Sequence, residues 1–249
     1  MRVLFAATNH ATVRVLQANG CEVIAPKSVQ CCGALHIHAG QHEEALGKFK
    51  ALIDSFEPYI DGIDAIVINS AGCGSTLREY GALLEHDDDY RDRAKKLSAK
   101  VRDICEWLAE IGPAKMVNEI NETISYHDAC HLAHGQKIRE QPRLLLQQIP
   151  GIQLVEMQEA DTCCGSAGTY NITQPILAAQ LLARKIEHIQ ETGATTIVTG
   201  NPGCLAWIEQ GLKEKGLRVR ICHPVELLDY AYSHPSQGEL EGTETNAVG

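Results

Sequence analysis

The chain contains an internal repeat, and this repeat constrains the fold more than any other feature of the sequence. Each copy has a Cys-Cys-Gly triplet that is followed, after a helical pattern and an apolar strand, by a Gly-Cys pair. Forty residues lie between Cys32 and Cys73, and thirty-nine lie between Cys164 and Cys204. Unrelated stretches rarely agree this well, so we interpret the chain as two copies of one supersecondary unit.

Short apolar stretches alternate with segments of helical periodicity in both copies. This alternation predicts an α/β fold with two tandem cysteine-rich repeats, each a small parallel sheet flanked by helices. The predicted strands are 22–25, 65–69, 124–127, 153–157, 196–199 and 219–222, and the predicted helices are 41–59, 90–111 and 176–191. A helix start is also predicted at Thr173, as the capping residue, with Pro175 in the first turn.

The two copies differ at their N-terminal ends. In the second copy, Cys130 follows the first strand, whereas the equivalent position of the first copy falls before Met1. We therefore expect the chain to begin inside the first repeat, with residues 1–19 mostly helical. The predicted organisation is an incomplete first repeat, a second repeat and a disordered tail rich in Gly, Glu, Ser and Thr, at 1–115, 116–233 and 234–249.

The repeated cysteines fall at the ends of predicted strands, where parallel sheets place their ligands. They are Cys130, Cys163, Cys164 and Cys204 in the second copy and Cys31, Cys32 and Cys73 in the first. Four convergent thiolates suit an iron–sulfur cluster or a zinc ion. Adjacent cysteines can both ligate a metal if the chain turns sharply, and Gly33 and Gly165 supply that turn. For the incomplete first set, a working site and a degenerate site remain alternatives.

The other cysteines and the nearby histidines have simpler interpretations. The three cysteines outside the motif are predicted to be small buried hydrophobes: Cys21, Cys105 and Cys222. Local hydrogen bonding rather than metal ligation is predicted for His127, His131 and His134, with a role beside the metal plausible for His131.

Composition excludes several classes of function. The 22 Lys and Arg against 32 Asp and Glu give a formal net charge of −10, which argues against nucleic acid as a partner. No apolar run is long enough to span a bilayer, and no signal-peptide layout is present. Ten cysteines in such a chain indicate metal binding or redox chemistry in the cytoplasm rather than disulfides.

Five phrases of the sequence resemble the cysteine-rich (CCG) domain family of heterodisulfide reductase-like proteins. The more similar branches are the glycolate oxidase iron–sulfur subunits and then the lactate-utilisation iron–sulfur proteins. The phrases lie at 11–16, 31–36, 69–74, 126–133 and 160–171. The ferredoxin-like domain that normally begins the glycolate oxidase subunit, with its Cys-x-x-Cys-x-x-Cys motifs, has no counterpart in this sequence.

The resemblance implies a [4Fe–4S] cluster on the matching cysteines and leaves open whether the first copy binds a second one. It implies a subunit of a glycolate or D-lactate dehydrogenase, which passes electrons from a flavoprotein partner to a quinone or another acceptor. FAD would lie only in that partner, so no catalytic residue is expected in this chain. A separate ferredoxin-like chain could supply further clusters, and the complex would lie in the cytoplasm or at the inner face of the membrane.

Two alternatives remain beside electron transfer. One is a zinc-binding or degenerate scaffold module without redox activity, which the missing first cysteine favours. The other is a thiol–disulfide reductase subunit that acts on a disulfide at the cluster, as in the heterodisulfide relatives.

Overall fold

The structure is a computed structural model that describes residues 5–233. The predicted disordered tail, 234–249, lies outside the described residues. The first half consists of α1 Ala6–Ala18, α2 Ala34–His38, α3 His42–Phe56, β1 Ile66–Ile68, α4 Ala71–Leu83, α5 Arg91–Lys100, β2 Val101–Asp103 and α6 Ile104–Ile111. The second half consists of β3 Thr123–Tyr126, a π-helical turn His131–Gly135, α7 Glu140–Gln147, β4 Gln153–Leu154, α8 Tyr170–Thr173, α9 Pro175–Thr192, β5 Thr196–Val198, α10 Pro202–Glu214, β6 Arg220–Cys222 and α11 Pro224–Tyr232.

The strands form two separate sheets, and every strand pair is parallel. The second half holds four strands in the order β4-β3-β5-β6, while the first half holds the pair β1-β2. The pair β1-β2 occupies the place that β5-β6 has in the second half. The predicted α/β class, with small parallel sheets flanked by helices, is therefore confirmed.

The start of the described chain is helical, as the repeat predicts, because α1 covers most of residues 1–19. The predicted strand at 22–25 is wrong, since this segment has no strand partner. Its counterpart in the second half, β4, pairs with β3 alone. Among residues 5–233 the first half contains no counterpart of β3, so nothing holds 22–25 in a sheet.

The predicted helix at 90–111 is also wrong as a single element, because β2 separates α5 from α6. Asp103 ends the strand and caps α6: its carboxylate accepts from the Cys105 N–H, and the Glu106 side chain accepts from the Asp103 N–H. This reciprocal cap fixes the restart of the helix. A strand of three residues between two helices is too short to disturb the helical period of the sequence.

The start of α9 is only partly as predicted. Pro175 does lie in the first turn. Main-chain N–H groups in that turn have no intrahelical partner, so the helix loses no hydrogen bond because proline lacks one. Thr173 does not cap this helix, because it belongs to α8 and its hydroxyl donates to the main-chain oxygen of Thr169. Gln174 precedes the first residue of α9 instead.

One hydrophobic core joins elements of both halves. Side chains of α1 and α6 pack with β3, α7 and α11 around residues such as Val15, Leu108, Ile124, Leu145 and Leu228. This burial of apolar surface is the main favourable contribution to folding. The boundary between the repeats at 115 and 116 stays a prediction, although both halves share this core.

Of the cysteines outside the motif, two are buried as predicted, Cys105 and Cys222. Cys21 is only partly buried, although it packs against the shared core.

Truncation of Leu145 should destabilise the whole described chain. Leu145 is 1% exposed in the shared core, whereas its neighbour Leu144 is 52% exposed on the same helix. We expect Leu145→Ala to lower the free energy of unfolding by about 2–5 kcal/mol in one cooperative denaturant transition. Leu144→Ala is the matched control and should change it by less than about 0.5 kcal/mol. Equal effects, or two separate transitions, would contradict a core shared by both halves.

Candidate metal centre

Four cysteines of the second half lie at the carboxyl ends of neighbouring parallel strands. Cys130 follows β3, Cys163 and Cys164 lie on the loop after β4, and Cys204 lies in the first turn of α10, after β5. Because β3 is placed between β4 and β5, these three connections reach the same rim of the sheet. The structure thus brings together the four residues that the spacing predicts.

The four thiols form a continuous row of contacts. Cys163 lies between Cys130 and Cys164, and Cys164 in turn contacts Cys204. The thiol of Cys130, that of Cys164 and nearby main-chain N–H groups hold the pKa of Cys163 well below its usual range. Hydrogen bonding from Cys164 likewise lowers the pKa of Cys204. The same contacts raise the pKa of Cys130 and of Cys164, so Cys163 and Cys204 are the two members of the row most readily present as thiolates, the form that binds metal.

Fixed donors surround the sulfur atoms. The Gly165 N–H donates to Cys163 Sγ at 3.3 Å, and Asn201 Nδ2 donates to Cys204 Sγ at 3.4 Å. Cys204 also lies at the N-terminal end of α10, where the helix dipole favours negative charge. These groups stabilise negative sulfur before any metal binds.

His127 is a further member of the site, although the sequence predicts local hydrogen bonding rather than metal ligation for it. The residue is fully buried at the end of β3, and neither ring nitrogen has a hydrogen-bond partner among the described residues. Its predicted local hydrogen bonding is therefore wrong. One ring nitrogen and the sulfur atoms of Cys164 and Cys204 all lie within 4.8 Å of one another. The imidazole also helps to lower the pKa of Cys204, so it acts on the thiols of the site rather than on its own loop.

The other two histidines fit their predictions better. His134 Nε2 lies 3.0 Å from the main-chain oxygen of Asp161, in a local hydrogen bond. His131 Nδ1 lies 3.8 Å from Cys130 Sγ, so it adjoins the sulfur row.

The donor set fits an iron–sulfur cluster or a zinc ion. Four cysteine sulfur atoms converge, a buried imidazole adjoins two of them, and N–H groups point at the sulfur atoms. Thiolates select these metals over hard cations such as magnesium and calcium.

The cysteines of the first half form a smaller group. Cys32 Sγ lies 3.0 Å from Cys73 Sγ, and the hydrogen bond from Cys32 lowers the pKa of Cys73 to about 6. Tyr80 Oη donates to the main-chain oxygen of Cys32 at 2.7 Å and so holds the loop. Cys31 is exposed, whereas Cys32 is buried and Cys73 is partly buried. Gly33 adopts a φ of +72°, the sharp turn that the sequence predicts.

The two cysteine groups adjoin where the halves meet. The Ala71 N–H donates to Gly200 O at 3.1 Å, and the Gly72 N–H lies 3.3 Å from Asn201 Oδ1. The rings of His38 and His131 have centroids 5.4 Å apart. No local pattern in the sequence indicates which loops of the two repeats touch, so only the structure reveals this junction.

Together, the fold and the site define an α/β protein that gathers thiolate ligands at the rims of small parallel sheets. The sequence profile of the cysteine-rich (CCG) domain matches residues 1–78 and 124–209, which is well over half of the chain. The chain therefore belongs to the CCG cysteine-rich domain family.

Several curated proteins are similar to this chain along most of its length. The probable glycolate oxidase iron-sulfur subunit of Bacillus subtilis (strain 168) is 37% identical over 238 residues, 94% of this chain and 53% of the relative. The glycolate oxidase iron-sulfur subunit of Escherichia coli (strain K12) is 34% identical over 225 residues, 90% of this chain and 54% of the relative. Lactate utilization protein A of Halalkalibacterium halodurans is 30% identical over 229 residues, 92% of both chains.

The chain thus spans about half the length of the glycolate oxidase subunits and nearly all of lactate utilization protein A. Within residues 5–233, no helix combines the length and apolar character needed to cross a membrane.

Substitution of Gly165 should disrupt the metal centre specifically. Gly165 has a φ of +95°, and a Cβ there would lie 2.5 Å from the main-chain oxygen of Ala178. We expect Gly165→Ala to move the cysteine loop and to lose most of the bound metal. It should also lower the free energy of unfolding by about 1–3 kcal/mol. Gly216→Ala is the matched control, since φ is +68° but nothing lies within 4 Å. Metal per chain and denaturant unfolding measure both effects. Full metal retention in Gly165→Ala would show that the loop tolerates a side chain.

Proposed function

We propose that this chain is an iron–sulfur electron-transfer subunit with a [4Fe–4S] cluster on the second-half cysteines. The observation that carries the proposal is the convergence of Cys130, Cys163, Cys164 and Cys204 on one rim, among groups that donate hydrogen bonds to sulfur. When bound, the cluster supplies one-electron redox chemistry. Burial and N–H donors of this kind are the features by which proteins adjust the reduction potential of such a cluster.

The chain's own residues hold and insulate the cluster in this proposal. Cys164 and Cys204 are buried, whereas Cys130 and Cys163 are partly exposed, so one side of the site faces the surface. This arrangement leaves an edge through which electrons can enter and leave, while the buried side limits water. The Gly165 and Asn201 donors stabilise the charge on sulfur and keep the ligands oriented.

The relatives' names support a place in a 2-hydroxy-acid dehydrogenase. Two of them are glycolate oxidase iron-sulfur subunits and another is a lactate utilization protein. We propose that a flavoprotein partner holds FAD and oxidises glycolate or D-lactate, and that this chain relays the electrons to a quinone or another acceptor. Further clusters would come from a ferredoxin-like domain or chain. The complex would work in the cytoplasm or at the inner face of the membrane.

Metal analysis tests this proposal directly. After anaerobic purification and reconstitution, we expect about four irons with matching acid-labile sulfide per chain. Cys163→Ser should lose this cluster, because Cys163 is the centre of the sulfur row. Cys222→Ser is the control and should retain it, because Cys222 is buried in the shared core.

Other outcomes have distinct meanings. About twice as much iron and sulfide would assign a second cluster to Cys31, Cys32 and Cys73. Zinc without sulfide would refute electron transfer and indicate a scaffold module. Full iron retention in Cys163→Ser would refute the ligand assignment.

A further inference from the structure

Lys185 is an unusual residue beside the metal centre. It lies in the middle of α9, its exposed fraction is 2%, and it is one of the largest fully buried side chains. Lysine is rarely buried to this extent unless its charge is paired, because removal of an ammonium from water is costly.

The described residues give this ammonium a hydrogen-bond acceptor but no carboxylate of its own. Lys185 Nζ donates to the main-chain oxygen of Glu159, a residue whose φ is +51°. The Glu159 carboxylate forms an ion pair with Arg184 and also lies near His188. The Asp161 carboxylate forms an ion pair with Arg139. Among residues 5–233, no carboxylate forms an ion pair with Lys185.

The remaining negative charge near Lys185 is on sulfur. Helix α9 packs in the same core cluster as Cys164 and Cys204, through neighbours such as Leu182 and Ile186. Burial lowers the pKa of the Lys185 ammonium, and charge on Cys164, followed by Glu159, Asp161 and Cys204, raises it. A thiolate-ligated cluster would extend this negative charge.

We propose that Lys185 is a positioning residue whose buried ammonium balances the negative charge of a cluster on Cys164 and Cys204 and raises its reduction potential. This inference rests on the proposed iron–sulfur function. On reduction, the cluster accepts one electron from an external donor and becomes more negative by one charge. A fixed cation in a water-poor interior stabilises that reduced state more than the oxidised state.

Lys185 also has a structural contact that the test must separate from its charge. Through Glu159 it holds the segment that leads into Cys163. Lys185→Met keeps the length and apolar stem but removes the charge, and Lys185→Arg keeps the charge. Lys185→Gln is neutral but retains a hydrogen-bond donor. Arg184→Met is the control, because Arg184 is a 62% exposed cation on the same helix.

The measurement is iron and sulfide content together with the midpoint potential of the reconstituted full-length chain, followed by absorbance in a redox titration. We expect Lys185→Met and Lys185→Gln to hold the cluster and to shift its reduction equilibrium at least tenfold toward the oxidised form. This shift lowers the midpoint by about 59 mV for one electron. Lys185→Arg and Arg184→Met should stay close to the wild type.

The possible outcomes separate the two proposals. If Lys185→Met and Lys185→Gln bind the cluster and their midpoint potential is unchanged, the role of Lys185 is overturned and the iron–sulfur function stands. Loss of iron in all three Lys185 variants, including Lys185→Arg, would also overturn it and indicate a purely structural contact. Loss of iron in the two neutral variants alone would support charge balance. If the wild-type chain binds no iron and sulfide, the proposed iron–sulfur function itself is refuted, whatever the Lys185 variants do.

Discussion

A row of four thiols, each in contact with the next, at one rim of a parallel sheet is the constraint on which this structure depends. The strand order β4-β3-β5 is what makes the contact possible, because three neighbouring strands deliver their loops to one place. Gly165, with its φ of +95°, lets the Cys-Cys loop turn back toward α9 without a clash. The loop sequence and the sheet topology therefore serve one purpose, which is to hold sulfur ligands close together.

Hydrogen bonds beside that site join the two halves in addition to their shared hydrophobic core. The Ala71 N–H donates to Gly200 O, and the loops before α4 and α10 thereby lie side by side. Gln136, just after the π-helical turn, also donates to Ala71 O at 3.0 Å. Each cysteine group is thus braced by the opposite half. Shared apolar packing between α1, α6 and α11 also holds the two halves together.

Charge is distributed unevenly around this arrangement. The chain has a formal net charge of −10, yet the described surroundings of the sulfur atoms include main-chain N–H groups, an amide, a helix N-terminus and the buried ammonium of Lys185. Each of these groups favours negative charge on sulfur. A site built in this way is suited to a thiolate cluster whose charge changes during turnover.

The sequence by itself determined the repeat, the α/β class and the four cysteines that meet at one rim, because spacing and strand periodicity are local properties of a chain. It failed at 22–25, where strand formation depends on a neighbour, and at 101–103, where a short strand is hidden between helices. It also gave no sign of Lys185, and for His127 it predicted local hydrogen bonding instead of a position beside two thiols. Only the tertiary structure decided these points, because burial and pairing depend on which distant segments meet.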